Sequence, residues 1–344
     1  MKKRIFYVIV LLILIAGAFV AYKFFGPATT TPSGEFFYIK TGATYVDVKN
    51  ELVEKKYINS TTWFDYAKKI LRFNTIKPGR YKITKGMSLF KLVRMLRSGD
   101  QSKLNLVITK IRTREDLAKK VGNLFEFDSL QMINLLNNNE KLKEYGLDTN
   151  TVMAVVMPYT YSEVWNSKPE SIFEQFLTAY KKFWNDERKV KADSLKLTPL
   201  EVSTIASIVE EETNKKADKY NVASTYLNRV RIGMKLQADP TVKFAMKNFP
   251  LKRVTGVHLK TDSPFNTYMY AGIPPGPICT PSIESIDAVL DAPKTDYLYF
   301  VASHKFDGTS IFTSNYNDHL KYARMYQQEL TRRMDSTKKA KENQ

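Results

Sequence analysis

The segment that decides the fold is residues 198–214, which read TPLEVSTIASIVEEETN. Thr198 is a favoured N-cap residue, Pro199 occupies the first helical position, and Glu201 stands where a capping box places its glutamate. These signals predict a helix that begins at Thr198 and runs to about Asn214.

The apolar residues of this helix single out one of its three consecutive glutamates. They form a stripe of Val202, Ile205, Ile208 and Val209. At about 100° per residue Glu212 continues the stripe, whereas Glu210 and Glu211 point roughly 120° or more away and are expected to escape burial. Loss of hydration would favour protonated Glu212 and move its pKa towards the working pH of a general acid. The alternative is an ion pair with Arg229 or Arg231, which would also perturb the carboxylate.

Caps, prolines and glycines divide the chain that follows this helix. Gly233 ends a second helix, Asp239-Pro240 caps a third, and Thr280-Pro281 opens a fourth. Two β-rich runs predict strands, and a last helix begins near Asn317. The predicted bounds are 221–231 for the second helix, 283–290 for the fourth, and 297–302 and 310–313 for the strands.

Polar side chains between these elements suggest a substrate cleft. The candidate substrate-binding residues are Asn228, Arg229, Gln237, Asp239, Asn266 and Tyr268. Fixed hydrogen-bonding groups beside the rigid Pro/Gly backbone of residues 272–278 are what a saccharide cleft needs. Asp239 has the alternative role of a helix cap.

Other catalytic schemes find little support in the sequence. His258, His304 and His319 lack metal-ligand spacing, and the single cysteine, Cys279, cannot build a thiolate zinc site. The sequence also lacks a Gly-x-Ser-x-Gly elbow and a Gly-rich phosphate loop before a helix. We therefore predict neither a metal nor a cofactor.

The N-terminus, residues 1–25, predicts a membrane anchor. MKKR is followed by the uncharged residues 5–22, which at about 1.5 Å per residue nearly cross a hydrocarbon layer of roughly 30 Å. Bulky residues after this run disfavour the alternative, a cleaved signal peptide. The basic residues before it predict a cytoplasmic N-terminus and an exported body. Residues 26–35 have the composition of a linker.

The formal net charge of +18 favours a polyanionic neighbour. For an exported protein, anionic lipid headgroups and a carboxylate-rich wall polymer fit better than nucleic acid, which we do not predict as a partner. A solvated basic surface without a specific partner is the alternative.

A short strand, turn and helix unit repeats before the catalytic segment. Residues 38–48, YIKTGATYVDV, are similar to residues 82–92, KITKGMSLFKL, and Thr44 and Ser88 stand at the N-cap positions. Residues 107–117 form a weaker copy. The units resemble LysM, a module that binds N-acetylglucosamine polymers; a scaffold without glycan binding is the alternative.

Several stretches carry a resemblance to one family. They are residues 205–213, IASIVEEET; 221–224, NVAS; 227–242, LNRVRIGMKLQADPTV; 266–268, NTY; 272–278, GIPPGPI; and 297–301, YLYFV. Over about residues 36–330 the chain closely resembles the endolytic murein transglycosylase family, also called YceG-like. The resemblance implies an α+β fold with one transmembrane helix, a LysM-like domain at 36–117, a catalytic domain of helices and short strands at 118–330, and a charged tail at 331–344.

The resemblance also implies an activity. The enzyme would be a lytic transglycosylase that cleaves the MurNAc-GlcNAc bond of nascent peptidoglycan strands and leaves 1,6-anhydro-MurNAc ends, with Glu212 as its essential acid/base. It would sit in the cell inner membrane with a periplasmic catalytic domain. Its partners would be glycan strands, the membrane, and cell-wall synthases or division proteins.

Two stretches depart from the family pattern. Residues 158–161 read PYTY where the family usually has Pro-Asp or Pro-Asn before Thr-Tyr, and residues 280–282 read TPS where it usually has Asn-Pro-Gly. These departures affect the expected details of the substrate cleft and not the expected reaction. Two alternatives stay open: a hydrolase that leaves reducing ends, and a non-catalytic wall-binding or divisome scaffold.

Overall fold

The computed structural model describes residues 2–31 and 34–342, with side chains through residue 336. Helices alternate with short two-stranded sheets, which confirms the α+β class. The chain forms two compact units. The first comprises the residues up to Leu106 with Val121–Asp128 and Ser162–Pro169, and the second comprises Val107–Lys120, Ser129–Tyr161 and the chain from Glu170 onwards.

The first unit is built around an antiparallel strand pair. Its elements are α1 (Lys2–Phe25), β1 (Phe36–Ile39), α2 (Tyr45–Glu54), α3 (Thr61–Ile70), β2 (Gly79–Lys82), α4 (Leu89–Ser98) and β3 (Leu104–Val107), whose last residue belongs to the second unit. Phe37 pairs with Tyr81 across β1 and β2, and both side chains are buried. Phe64 and Leu92 close the same core from α3 and α4.

The predicted helix caps of this unit are confirmed. The Thr44 hydroxyl accepts a hydrogen bond from the Asp47 amide, and the Asp47 carboxylate accepts one from the Thr44 amide. Ser88 accepts from the Lys91 amide in the same way. Each cap satisfies a backbone N–H group that the first helical turn leaves without a partner.

The chain that follows α1 is held against the first unit rather than free. The amides of Ala28 and Thr29 both donate to the carbonyl of Met87, and Thr29 is buried. Thr30 donates its amide to the Tyr57 carbonyl. The linker composition of residues 26–35 therefore does not produce a detached segment at these positions; Pro32 and Ser33 lie outside the described residues.

Helix α1 is the one helix in the described chain that is long and apolar enough to cross a bilayer. Its apolar side chains are exposed along almost its whole length, from Ile5 to Phe25. Such a surface is stable in hydrocarbon and costly in water, which agrees with a single-pass anchor.

The second unit contains the remaining elements. Its helices are α5 (Arg114–Gly122), α6 (Ser129–Leu136), α7 (Asn139–Lys143), α8 (Pro169–Phe183), α9 (Asp186–Ser194), α10 (Pro199–Glu212), α11 (Lys216–Arg231), α12 (Asp239–Ala245), α13 (Ile283–Leu290) and α14 (Tyr316–Glu342). Its strands are β4 (Thr160–Glu163), β5 (Tyr299–Ala302) and β6 (Ser310–Thr313), and single 3-10 turns cover Val152–Val155 and His258–Lys260. At their margins α5, α8 and β4 run into residues of the first unit.

Helix α10 lies at the centre of this unit, as its apolar sequence predicts. Every residue from Val202 to Val209 is buried, and α11 and α13 pack against it. The capping box of Thr198 and Glu201 is present. The helix ends at Glu212, slightly before the predicted end at Asn214.

The predicted N-terminal ends of three helices need correction: the starting residue of α11 and the capping residues of α13 and α12. Helix α11 begins at Lys216 rather than Asn221, since Asp218 supplies a favourable negative charge to its first turn. Helix α13 is capped by Ser282 rather than Thr280, because the Thr280 hydroxyl accepts from the Ile111 amide and donates to the Thr109 carbonyl.

The start of α12 differs as well. Ala238 holds the N-cap position, and Asp239 is the first residue of the helix. The carboxylate of Asp239 accepts a side-chain hydrogen bond instead of capping the helix.

Candidate active site

Glu212 is the last residue of α10 and forms part of a cavity wall. The Tyr226 hydroxyl of α11 donates to Glu212 Oε1 at 2.7 Å. Tyr226 is 1% exposed, so this bond is well shielded from water. The buried stripe of α10 thus leads to the partly buried Glu212 at the cavity wall, and the next helix supplies its partner.

The cavity has a volume of about 310 Å³ and mixes polar with aromatic walls. It is lined by Glu212, Tyr226, Arg229, Leu236, Gln237, Asp239, Tyr268, Tyr299, Phe300, Tyr316 and His319. Among the described residues, no group of three or more His, Cys, Asp or Glu side chains is placed to hold a metal ion. The side chains that line the cavity offer acid/base and hydrogen-bonding chemistry.

Burial raises the pKa of Glu212 from its ordinary value of 4.5 to about 7. The Tyr226 hydrogen bond acts in the opposite direction, because it stabilises the carboxylate. The negative charge of Asp239 raises the pKa further, while the positive charges of Lys243 and Arg229 lower it. Near neutral pH both protonation states of Glu212 are accessible, as a group that gives and takes a proton requires.

The arginines considered as partners of Glu212 are engaged elsewhere. The Arg229 guanidinium donates to the carbonyls of Leu298 at 2.7 Å and Leu236 at 2.6 Å. Arg231 donates to Asn228 Oδ1 at 2.9 Å. This geometry favours the tyrosine-bonded carboxyl group over the ion pair that the sequence left open.

Four of the six candidate substrate-binding residues meet Glu212 at the cavity: Arg229, Gln237, Asp239 and Tyr268. The Tyr268 hydroxyl donates to Asp239 Oδ1 at 2.7 Å. Gln237 has a positive φ of 49°, an uncommon backbone state for a residue other than glycine that is concentrated at functional sites.

The other two candidates, Asn228 and Asn266, brace the backbone around the cavity. The Asn228 amide donates to the carbonyls of Thr295 and Tyr297 at 3.0 and 2.9 Å. The Asn266 amide donates to the carbonyls of Leu259 and Thr261 at 3.0 and 2.8 Å. Their positions therefore suit structural support better than direct contact with a substrate.

The expectation that Glu210 and Glu211 escape burial is wrong. Their side chains are only 13% and 14% exposed. Glu211 binds Arg112 through two hydrogen bonds of 2.9 Å, and Glu210 accepts from Ser282, Ser285 and Lys219. Burial acts to raise the pKa of Glu210, but these donors outweigh it and the pKa lies below its ordinary value.

Sequence reasoning missed most of the aromatic wall. Tyr299, Tyr316 and His319 form a continuous group, with ring centroids 5.4 Å apart between Tyr299 and His319 and 5.6 Å apart between Tyr299 and Tyr316. The spacing of Tyr316 and His319 on one face of α14 was the available signal. Tyr226 gave no such signal, because its role depends on how α11 packs against α10.

An α+β protein whose tyrosine-lined cavity contains a carboxyl group with a pKa of about 7 has a site that suits acid/base chemistry. The chain belongs to the YceG-like family, which matches residues 37–325. The resemblance found in the sequence is thereby confirmed.

Several known proteins are similar to this chain. An endolytic murein transglycosylase of Bacillus subtilis is 30% identical over 84% of this chain and 83% of its own length. One from Streptococcus pneumoniae is 25% identical over 82% of this chain, which spans 56% of the pneumococcal protein. A solved structure of a yceG-like protein from Listeria monocytogenes is 26% identical, has a TM-score of 0.56, and covers 83% of this chain and 97% of its own.

Proposed function

We propose that this chain is an endolytic peptidoglycan lytic transglycosylase in which Glu212 is the general acid and base. The names of its relatives supply the activity. The observation that supports Glu212 is its desolvated carboxyl group on the cavity wall, with a pKa of about 7 and a hydroxyl partner.

The reaction needs one proton shuttle. Protonated Glu212 donates its proton to the glycosidic oxygen that leaves C1 of N-acetylmuramic acid. The resulting carboxylate then accepts the proton of the C6 hydroxyl of the same sugar while O6 bonds to C1. The products are a 1,6-anhydro end and a free hydroxyl on the leaving sugar, and Glu212 recovers its proton. Most glycosidases use a second carboxylate to activate water or attack the sugar, whereas an attached nucleophile needs positioning above all.

Tyr226 orients the carboxyl group for this shuttle. Its bond to Oε1 leaves Oε2 to face the glycosidic oxygen. Arg229, Gln237 and Tyr268 form hydrogen bonds to the sugar's polar groups, and the Asp239 carboxylate accepts from its hydroxyls. Asn228 and Asn266 support the walls. The aromatic group of Tyr299, Tyr316 and His319 provides flat faces for a sugar ring.

The other segments of the chain place this site in the compartment that contains peptidoglycan. Residues 1–25 anchor the chain in the inner membrane with a cytoplasmic N-terminus, and residues 118–330 form the extracytoplasmic catalytic domain. Residues 36–117 form the LysM-like domain; the order β1, α2, α3, β2 with antiparallel strands supports this assignment. Cell-wall synthases or division proteins are the partners that an anchored enzyme acting on nascent strands would meet.

Incubation of the full-length chain in detergent with glycan strands, followed by mass analysis of the new ends, tests the function. Anhydro ends are expected. Reducing ends, heavier by one water, would instead identify a hydrolase. Strand binding without new ends would identify a wall-binding scaffold.

A further inference from the structure

Helix α3 of the first unit has a second apolar stripe that faces outwards. Phe64 and Ala67 form the inner stripe and are fully buried. Trp63, Tyr66 and Ile70 follow one another at helical spacing on another side, and Tyr66 and Ile70 are 53% and 66% exposed. An aromatic and aliphatic surface of this kind gains stability when it is covered by an apolar environment.

This outer stripe continues the apolar surface of α1. The Trp63 ring lies 6.0 Å from the ring of Phe19 and 5.8 Å from that of Phe24. On α4, the Phe90 ring lies 5.1 Å from that of Phe25. The last turns of the apolar helix and the outer surface of α3 and α4 therefore form one patch.

Basic side chains border the patch. Lys69, Arg72, Arg94 and Arg97 are all exposed. Arg94 and Arg97 follow Phe90 at helical spacing along α4, and Lys69 adjoins Ile70 on α3. Aromatic residues flanked by lysine and arginine are typical of segments at the boundary between hydrocarbon and anionic headgroups.

We propose that Trp63, Tyr66, Ile70, Lys69 and Arg94 form an interfacial face that rests in the headgroup region of an anionic bilayer. The anchor holds this face at the depth where α1 leaves the hydrocarbon, the aromatic rings enter the boundary, and the cations pair with lipid phosphates. The first unit is thus oriented on the membrane instead of swinging from its anchor. The inference rests on the proposed membrane anchor and is independent of the proposed chemistry.

The three tryptophans of the chain provide the test. Trp184 is buried and Trp165 packs against Tyr38, whereas Trp63 contacts Phe19 and Phe24 of the apolar helix. Trp63 is therefore the tryptophan placed to meet lipid. The full-length protein is reconstituted into vesicles of phosphatidylglycerol and phosphatidylcholine that carry bromine at known acyl depths. We expect quenching that is strongest for shallow bromines and is lost in Trp63→Phe, with an unchanged circular dichroism spectrum. Equal quenching of the wild type and Trp63→Phe would overturn the proposal.

A charge-reversal pair tests the anionic component. Lys69→Glu with Arg94→Glu is expected to lower the Trp63 quenching about twofold, towards its value in pure phosphatidylcholine. Lys143→Glu with Lys182→Glu, two exposed lysines of the second unit, is the matched control and should leave quenching unchanged. An equal response of both pairs would overturn the proposal.

Flotation with the vesicles separates the inference from its premise. A chain that does not float overturns the anchor and the interfacial face together. A chain that floats with an unquenched Trp63 overturns the interfacial face alone.

Discussion

The surroundings of Glu210 and Glu212 differ sharply, although the two residues are neighbours at the end of α10. Glu210 Oε2 accepts from the hydroxyls of Ser282 and Ser285, both at 2.5 Å, and from Lys219 at 3.2 Å. The Glu212 carboxyl accepts from the Tyr226 hydroxyl at 2.7 Å. Burial acts on both groups, yet the pKa of Glu210 falls and that of Glu212 rises to about 7. The donors that meet a buried carboxyl group, more than burial itself, decide whether it stays charged.

This difference separates a structural carboxylate from a chemical one. Glu210 joins the end of α10 to the starts of α11 and α13, and its charge is fully compensated. Glu212 keeps a proton that it can release. Four predictions, in order of decreasing effect, test the contrast.

Glu212→Gln should lower the rate of anhydro-end formation about 10³-fold, the scale of a lost general acid/base. The amide keeps the shape of the side chain and can still accept from Tyr226, so the fold should remain intact. Mass analysis of the ends and a thermal melt measure the two outcomes. Retained anhydro-product formation by a folded variant would remove Glu212 from its role.

Glu210→Gln should lower the free energy of unfolding by about 3 kcal/mol, because it leaves the buried Lys219 ammonium without its counter-charge. The specific activity of the folded fraction should fall far less than in Glu212→Gln. Urea unfolding measures the stability. Glu187→Gln, at an exposed pair with Lys191, is the control and should have almost no effect. If the two variants were equally stable, the network around Glu210 would not be holding the helix ends.

Tyr226→Phe should lower kcat/KM about tenfold, since the Glu212 carboxyl loses its orienting partner. The lost hydrogen bond normally lowers the pKa of Glu212, so the alkaline limb of the pH profile should move to higher pH. Tyr180→Phe changes a partly buried tyrosine outside the cavity and serves as the control. A lower rate with an unshifted alkaline limb would argue against a direct link between Tyr226 and the proton of Glu212.

The pH dependence of stability should show the smallest effect. Between pH 4.5 and about 7 folded Glu212 holds a proton that the unfolded chain has released, so the wild type loses stability as pH rises through this window. Glu212→Gln lacks this loss and should gain about 1 kcal/mol per pH unit relative to the wild type within this window. Denaturant curves at several pH values measure the difference. A constant difference across the window would show that the pKa of Glu212 is not raised.

The position of Glu212 on α10 could be predicted from the sequence, whereas the surroundings of Glu210 could not. Helical periodicity placed Glu212 on the buried side of α10, because an apolar stripe constrains every residue that continues it. The same rule placed Glu210 and Glu211 outside, where it failed because α11, α13 and the segment around Arg112 cover these side chains. Helical periodicity assumes that a helix buries one face and exposes the other. Helix α10 is central and is covered by neighbouring elements on several faces.

The substrate-binding candidates show the same limit. Arg229 and Asn228 are adjacent in sequence and both are polar, yet Arg229 lines the cavity while the Asn228 amide binds the carbonyls of Thr295 and Tyr297. Their residue types do not predict this difference in position. The outcome depends on which backbone passes nearby after folding.

Local signals in the sequence determined the apolar helix at the N-terminus, the caps at Thr44, Ser88 and Thr198, the bounds of α13, and the identity of Glu212 as an acid with a raised pKa. These features depend on residues a few positions apart. Only the tertiary structure decided that Tyr226 meets Glu212, that Tyr299, Tyr316 and His319 join the cavity, and that Glu210 stays charged. Each of these contacts joins different elements of the chain, and the pKa of a carboxyl group depends on all the donors and charges that the fold brings around it.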